Sequence, residues 1–245
     1  TEAGAVVRLL GDPQQLASVE AGGVLRDLAE RTDAPFLEQV HRFKTEGEAA
    51  ASLLLRSGAE NALDWYERQD RIRDGMRHEL PDMVFDAYVA DVEADKVALM
   101  VAPTNDLVRE LNIKAAAYYR EGGTVTGPGV VLADGLEAAV GDVVVTRKNN
   151  SKYVVKSSDG GRVGRVKNGD LWTVAEIVDD GSLRLRNQIS GGEVTVAADY
   201  ITVGVQLGYA TTVHRSQGMT VGSCHVLAAA NMDRQSLYVA MTRGK

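Results

Sequence analysis

The chain has 245 residues, 44% of them hydrophobic and 25% charged, with a formal net charge of −7. That balance fits one large or two modest globular domains and excludes a protein whose whole surface clings to nucleic acid, so any such contact must come from local basic patches. No apolar run is long enough to span a bilayer, the N-terminal TEAGAVVRLLGDPQQ has no signal-peptide layout, and the single cysteine, Cys224, excludes an intramolecular disulfide. A cytoplasmic chain without membrane insertion is expected.

Ala5 to Leu10 reads as a buried strand, Gly11-Asp12-Pro13-Gln14-Gln15-Leu16 as the turn after it, and Gly23 to Arg31 as a helix. Phe36 to Phe43 follows, with Arg42 near its end. Helices are predicted over Glu46–Arg56 and Ala59–Arg68, separated by Gly58, and Arg71–Gly75 reads as a short strand or turn. Pro81 suits the first turn of a third helix, Asp82–Ala94, with Met83, Val84, Tyr88 and Val92 as its apolar stripe. Lys96–Ala102 (KVALMVA) is nearly continuous in apolar residues, the pattern of a central parallel strand covered on both faces. Pro103-Thr104-Asn105-Asp106 opens a helix to about Arg120, with Thr104 or Asn105 as its cap. A helix start of this kind also accepts a phosphate.

The pattern changes at Gly122. Short strands are predicted over Gly141–Arg147, Val163–Lys167, Leu171–Val178, Ser182–Asn187 and Glu193–Val196, separated by turn signals such as Asn168-Gly169 and Asp180-Gly181. They suggest a small antiparallel barrel inserted into another domain. Within it, residues 148–161 read as a polar, mobile stretch. Between Gly141 and Lys167 stand seven Lys or Arg (147, 148, 152, 156, 162, 165, 167) against two Asp (142, 159). Such an excess is either a solvated loop face or a DNA-facing rim.

A strand from Val205 to Ala210 then runs into the polar turn Thr211-Thr212-Val213-His214-Arg215-Ser216-Gln217-Gly218. Hydroxyls, an imidazole, a guanidinium and an amide within eight residues suit phosphate oxygens. A strand over Cys224–Ala228 and a helix over Arg234–Thr242 complete the chain. Asp233 is the helix cap, and Leu237, Val239 and Ala240 face the core. His78 reads as a surface residue and His225 as structural. Arg243 alone could be a helix C-terminal cation favoured by the dipole.

In order, GDPQQL, the Arg42 segment, APTNDLVRELN, YATTVHRSQGMT and LYVAMTRGK resemble motifs III, IV, IVa, V and VI of superfamily 1 helicases of the RecD type. The barrel and its flanks resemble the insert of MobF-class conjugative relaxase–helicases. The resemblance implies an α/β fold. Residues 1–45 would be the end of a first RecA-like, P-loop-type domain and 46–95 a helical connector. Residues 96–134 and 203–245 would form a second RecA-like domain with a parallel sheet, and 135–202 an SH3-like β-barrel insert. It also implies that Gln15 and Arg243 act catalytically on the γ-phosphate of ATP, with Arg42 and Tyr238 beside the nucleotide. Thr104, Asn105, Thr211, Thr212, His214, Ser216 and Gln217 would meet single-stranded DNA. His214 could instead be a structural imidazole, and capping alone also explains Thr104 and Asn105. The chemistry agrees, since an arginine offers a fixed fork of donors to a phosphoryl group and an uncharged amide can hold phosphate and water together.

No G-x-x-x-x-G-K-[ST] loop, acidic metal-binding pair, or histidine cluster of a relaxase nicking site is recognisable in these residues. The chain therefore reads as a fragment of a longer ATP-dependent helicase that acts on single-stranded DNA and works with other conjugative transfer proteins; the RecD-type resemblance would imply translocation 5′ to 3′. ATP and Mg²⁺ belong to that parent. The fragment is expected to bind no metal or cofactor by itself and to lack ATPase activity. The alternatives are a non-catalytic module with a relic helicase fold that binds DNA or recruits partners, and a RecD-type subunit of a repair nuclease.

Overall fold

The computed structural model describes residues 42–245, the segment 23–32, and Gly4, Gly11, Asp12, Gln15 and Pro35. The strand expected over Ala5–Leu10 and the segment Phe36–His41 lie outside the described residues. The first helix, α1 (Val24–Arg31), stands where the periodicity places it. Helix α2 (Glu48–Ser57) ends on Gly58, whose φ of 75° lets its N–H turn back to the Leu54 and Leu55 carbonyls. The Ala59 N–H also returns to Leu54, so the chain leaves the helix axis and makes three-residue turns through Asn61. For that reason the helix predicted over Ala59–Arg68 shrinks to α3 (Asp64–Arg68). Arg71–Gly75 is irregular, and Arg71 pairs with Glu48 at 2.8 Å while lying over the Trp65 ring.

Helix α4 (Leu80–Glu93) carries Pro81 in its first turn and buries Pro81, Phe85, Tyr88 and Val89. Tyr88 holds to the expected stripe. Val84 and Val92 pack at its margin, and Phe85 and Val89 carry the rest. Strand β1 (Ala98–Ala102) is buried at every position. Ala98, Met100 and Ala102 face α4 and the helix after β1, α5 (Asn105–Glu121), while Leu99 and Val101 face the opposite core. Both faces of the strand are covered, as its unbroken apolar run requires.

Several elements follow that pattern reading missed or merged. Strands β2 (Thr126–Val131) and β3 (Glu137–Val140) form a hairpin of their own. Gly141 then turns at φ 97°, where a Cβ would lie 2.2 Å from the Thr124 carbonyl oxygen, so only glycine fits. After β4 (Val143–Thr146), residues 150–156 form a strand, β5 (Asn150–Lys156), rather than a mobile stretch. It is held between β6 (Arg162–Val166) and β9 (Glu193–Val196). With β7 (Leu171–Ile177), β8 (Leu183–Asn187) and β10 (Val205–Leu207) these strands make a seven-stranded antiparallel sheet, ordered β10-β4-β7-β8-β9-β5-β6. No ladder closes the row into a barrel among the described residues. The row does curl: the Thr146 hydroxyl donates to the Lys167 carbonyl at 2.6 Å, just past β6, and accepts from the buried Trp172 indole at 3.1 Å.

Helix α6 (Ala198–Gly204) leads into β10. The single strand expected over Val205–Ala210 is two strands in two sheets. β10 pairs antiparallel with β4, while β11 (Ala210–Thr212) pairs parallel with β1. Gly208 makes the crossing, because a Cβ there would sit 2.7 Å from the Val144 carbonyl carbon. The outer edge of β11 is closed by Asn112 of α5, whose buried amide donates to the Ala210 carbonyl and accepts from its N–H. Helix α7 (Val213–Ser216), strand β12 (Ser223–Val226) and helix α8 (Arg234–Met241) complete a three-stranded parallel sheet, β11-β1-β12, with α4 and α5 on one face and α7 and α8 on the other. One apolar cluster runs without a break from this sheet into the seven-stranded one, through Tyr209, Leu207 and Trp172. No helix among the described residues is long and apolar enough to cross a membrane.

Candidate functional site

Parallel pairing sets Ala102 of β1 opposite Thr212 of β11, so the turns after both strands leave the same edge of the sheet side by side. Open parallel sheets gather ligand chemistry at this carboxyl edge. The Thr104 hydroxyl caps α5 by accepting from the Leu107 N–H, and the Thr212 hydroxyl caps α7 by accepting from the Arg215 N–H. Asn105, His214 and Gln217 are exposed around them. Thr211 and Ser216 are interior instead: Thr211 is 1% exposed, and Ser216 donates to the Val213 carbonyl at 2.7 Å. The Thr211 hydroxyl accepts from Arg147 of the seven-stranded sheet at 2.8 Å.

A second cluster forms at the end of α8. The Asp233 carboxylate caps this helix by accepting from the Ser236 N–H at 2.7 Å. Val239 and Ala240 are fully buried and Leu237 is half-buried. Tyr238 donates its hydroxyl to Asp12 at 3.4 Å, Arg56 pairs with Asp12 at 3.0 Å, and the Gln15 amide donates to Asp12 at 3.2 Å. Arg42 donates to the Thr242 carbonyl one residue before Arg243. Gln15, Arg42, Tyr238 and Arg243, which span almost the whole length of the chain, thus come to one place. Burial raises the Tyr238 pKa, and the Asp12 charge adds to it.

Arg243 lies beneath that surface, 1% exposed. Its Nε donates to the Val239 carbonyl at 2.7 Å and its Nη2 to the Thr242 hydroxyl at 3.0 Å, and Nη1 reaches the Ser216 and Met219 carbonyls at 3.4 Å each. Burial, then the neighbouring Arg42, lowers its pKa to about 10. A single guanidinium therefore joins the turn after β11 to the helix that carries Tyr238 and Thr242. The donors gathered here, Arg42, Arg56, Arg243 and the Gln15 amide, suit phosphate oxygens. Among the described residues no group of three or more His, Cys, Asp or Glu side chains could hold a metal ion, and Asp12, the carboxylate of this cluster, is already engaged by Arg56, Gln15 and Tyr238.

Pattern reading missed Asp12 and Arg56 as organisers of the second cluster, and Arg147, Gln206 and Arg215 beside the first. The acidic position of GDPQQ was an available signal for Asp12. Nothing local distinguishes Arg147 from the other cations around it. The remaining six of those cations, Lys148, Lys152, Lys156, Arg162, Arg165 and Lys167, are all exposed, and none forms an ion pair among the described residues.

The parallel sheet, with two polar turns at its carboxyl edge and an antiparallel sheet inserted between its strands, is an α/β fold shared with superfamily 1 helicases of known structure. A Pif1 helicase from Bacteroides, solved with ADP-AlF3 and single-stranded DNA, matches at a TM-score of 0.55 over 96% of this chain and 59% of that one, at 17% identity. In sequence, the chain is a homologue of the conjugal transfer proteins TraA and of RecD helicases. TraA of Rhizobium radiobacter is 35% identical over 246 residues, covering 98% of this chain and 21% of TraA. The RecBCD enzyme subunit RecD of Mycobacterium tuberculosis is 31% identical over 274 residues, covering 99% of this chain and 44% of RecD. A family model described as an AAA domain matches residues 1–77. The chain thus spans about a fifth of the length of the TraA proteins it matches.

Proposed function

We propose that this chain is the helicase part of a conjugative relaxase, an ATP-driven translocase on single-stranded DNA that works in the cytoplasm with other transfer proteins. The observation that carries the reading is the Arg243 joint. The cluster around Gln15, Arg42 and Tyr238 faces nucleotide, and the edge around Thr104, Thr212, His214 and Gln217 faces DNA. The Arg243 side chain bonds both α8 and the Ser216–Met219 turn. When a triphosphate meets the second cluster, its oxygens compete with those carbonyls for the guanidinium. Turning Arg243 outward would release the turn after β11, so nucleotide state and DNA grip change together. Gln15, uncharged, can donate to phosphate while accepting from the attacking water. ATP arrives with Mg²⁺, which supplies charge neutralisation, and we assign that ion's ligands to the longer parent protein.

The seven-stranded sheet is, on this reading, the SH3-like insert, and its six exposed cations track the DNA backbone. The domain limits are then 1–45, 46–95, 96–134 with 203–245, and 135–202. The 245 residues contain no phosphate-cradling G-x-x-x-x-G-K-[ST] loop, so this chain alone should bind single-stranded DNA without hydrolysing ATP. In the parent, Gln15→Ala and Arg42→Ala should each abolish DNA-stimulated ATP turnover while leaving DNA binding within a few-fold of wild type. Turnover retained in both variants would refute the nucleotide assignment.

A further inference from the structure

Where the seven-stranded sheet meets the turn after β11, two guanidiniums converge on one neutral oxygen. Arg147, just past β4, donates from Nε to the Gln206 side-chain oxygen at 3.0 Å, and Arg215 of α7 donates to the same oxygen at 3.2 Å. Arg147 also donates from Nη2 to Thr211, while its Nη1 is buried with no partner. Neither arginine forms an ion pair among the described residues. The Asp134 charge favours the Arg147 cation, but one of its carboxylate oxygens already accepts from the Leu136 N–H. Burial, then repulsion from Arg215, lowers the Arg147 pKa to about 10. Two like charges held together, one of them largely desolvated and with an unused N–H, are costly unless an anion joins them.

We propose that Arg147 and Arg215 form a shared site for one phosphodiester of single-stranded DNA, with Gln206 holding the two forks in register while the site is empty. Planar forks with spare donors match a phosphate's paired oxygens. The place fits a strand of DNA rather than a free nucleotide. Arg215 is exposed in the same turn as Thr212, His214 and Gln217 at the carboxyl edge, while the second cluster, where the nucleotide is assigned, lies at the end of α8. The site spans both sheets, so one phosphate would clamp the inserted sheet to the turn after β11. This inference rests on the single-stranded DNA reading above and adds to it a ligand from the inserted sheet.

The test uses the full 245-residue chain and a fluorescein-labelled oligo-dT, read by anisotropy between about 50 and 200 mM NaCl, where each phosphate contact on a single strand contributes about 0.7 to the slope of log K against log salt. Arg147→Gln and Arg215→Gln should each weaken binding roughly tenfold, as expected for one charge-assisted contact. Each should flatten the salt slope by about 0.7, and the double variant by no more than either alone, because the phosphate is shared. Arg215 is exposed, so its variant decides the matter if Arg147→Gln fails to fold. Wild-type affinity and slope in Arg215→Gln would overturn the site while leaving the DNA reading intact, as would a double variant that loses about twice the slope. Absence of DNA binding by the wild-type chain would overturn the DNA reading and this site with it. Binding of inorganic phosphate to wild type but not to Arg215→Gln, with no effect on the oligonucleotide's affinity at matched ionic strength, would make this a free-anion site and overturn the DNA assignment.

Discussion

Replacing Arg243 with alanine separates the two roles its position suggests, a group that reaches a phosphate and a cross-link inside the protein. The side chain is 1% exposed and makes two well-formed hydrogen bonds, at 2.7 Å to the Val239 carbonyl and 3.0 Å to the Thr242 hydroxyl. The contacts to Ser216 and Met219, at 3.4 Å, are longer and weaker. Each good bond from a charged donor contributes about 1.5–3 kcal/mol, and removing so large a buried side chain leaves a cavity. Burial opposes this gain. The folded pKa, about 10, lies below the ordinary arginine value, so the charging cost is present at neutral pH and is relieved only as pH rises past about 10. The net loss on Arg243→Ala should be about 2–4 kcal/mol, which lowers the melting temperature of a chain this size by roughly 5–15 °C. Thermal unfolding of the 245-residue chain by circular dichroism measures it. Arg243→Lys keeps the charge but not the fork and should fall between alanine and wild type. An alanine variant melting within about 1 °C of wild type would refute the cross-link, and with it the joint between nucleotide and DNA clusters.

Two further outcomes follow from buried titratable groups. Asp142 is fully buried and accepts from the Tyr209 hydroxyl at 2.6 Å and the Ala139 N–H at 2.8 Å. Asp142→Ala should therefore cost about 1–3 kcal/mol for each orphaned donor, whereas Asp142→Asn, whose amide oxygen can accept from the Ala139 N–H while its NH2 donates to the Tyr209 hydroxyl oxygen, should cost less in the same melts. Burial raises the Asp142 pKa above the ordinary carboxylate value, so the folded form holds its proton more tightly. Stability should fall as pH rises through that window in wild type, and this part of the profile should vanish in Asp142→Asn. His225 bonds Asp91 at 3.0 Å, and burial lowers its pKa although Asp91 opposes the shift. The unfolded chain then takes up the proton first, so stability should decline as pH falls below about 6.5. His225→Gln should flatten that limb, and an unchanged profile would show that the imidazole does not titrate on unfolding.

Local pattern carried the parallel core. The apolar run ending at Ala102, the Thr104 cap and the Asp233 cap each depend on residues within one turn of one another, so composition and spacing determined β1, α5 and α8 before any contact was known. The motif turns were legible for the same reason. What only the tertiary structure decided depends on partners far along the chain. Residues 150–156 look polar in isolation, yet they become a strand because β6 and β9 supply the missing backbone partners. The run from Val205 to Ala210 divides between two sheets because Val144 and Met100 compete for its two ends, and only glycine at 208 allows the crossing. The inward turn of Arg243 and the pairing of Arg147 with Arg215 follow from packing, since a cation's neighbours are set by which elements close around it and not by its own residue type.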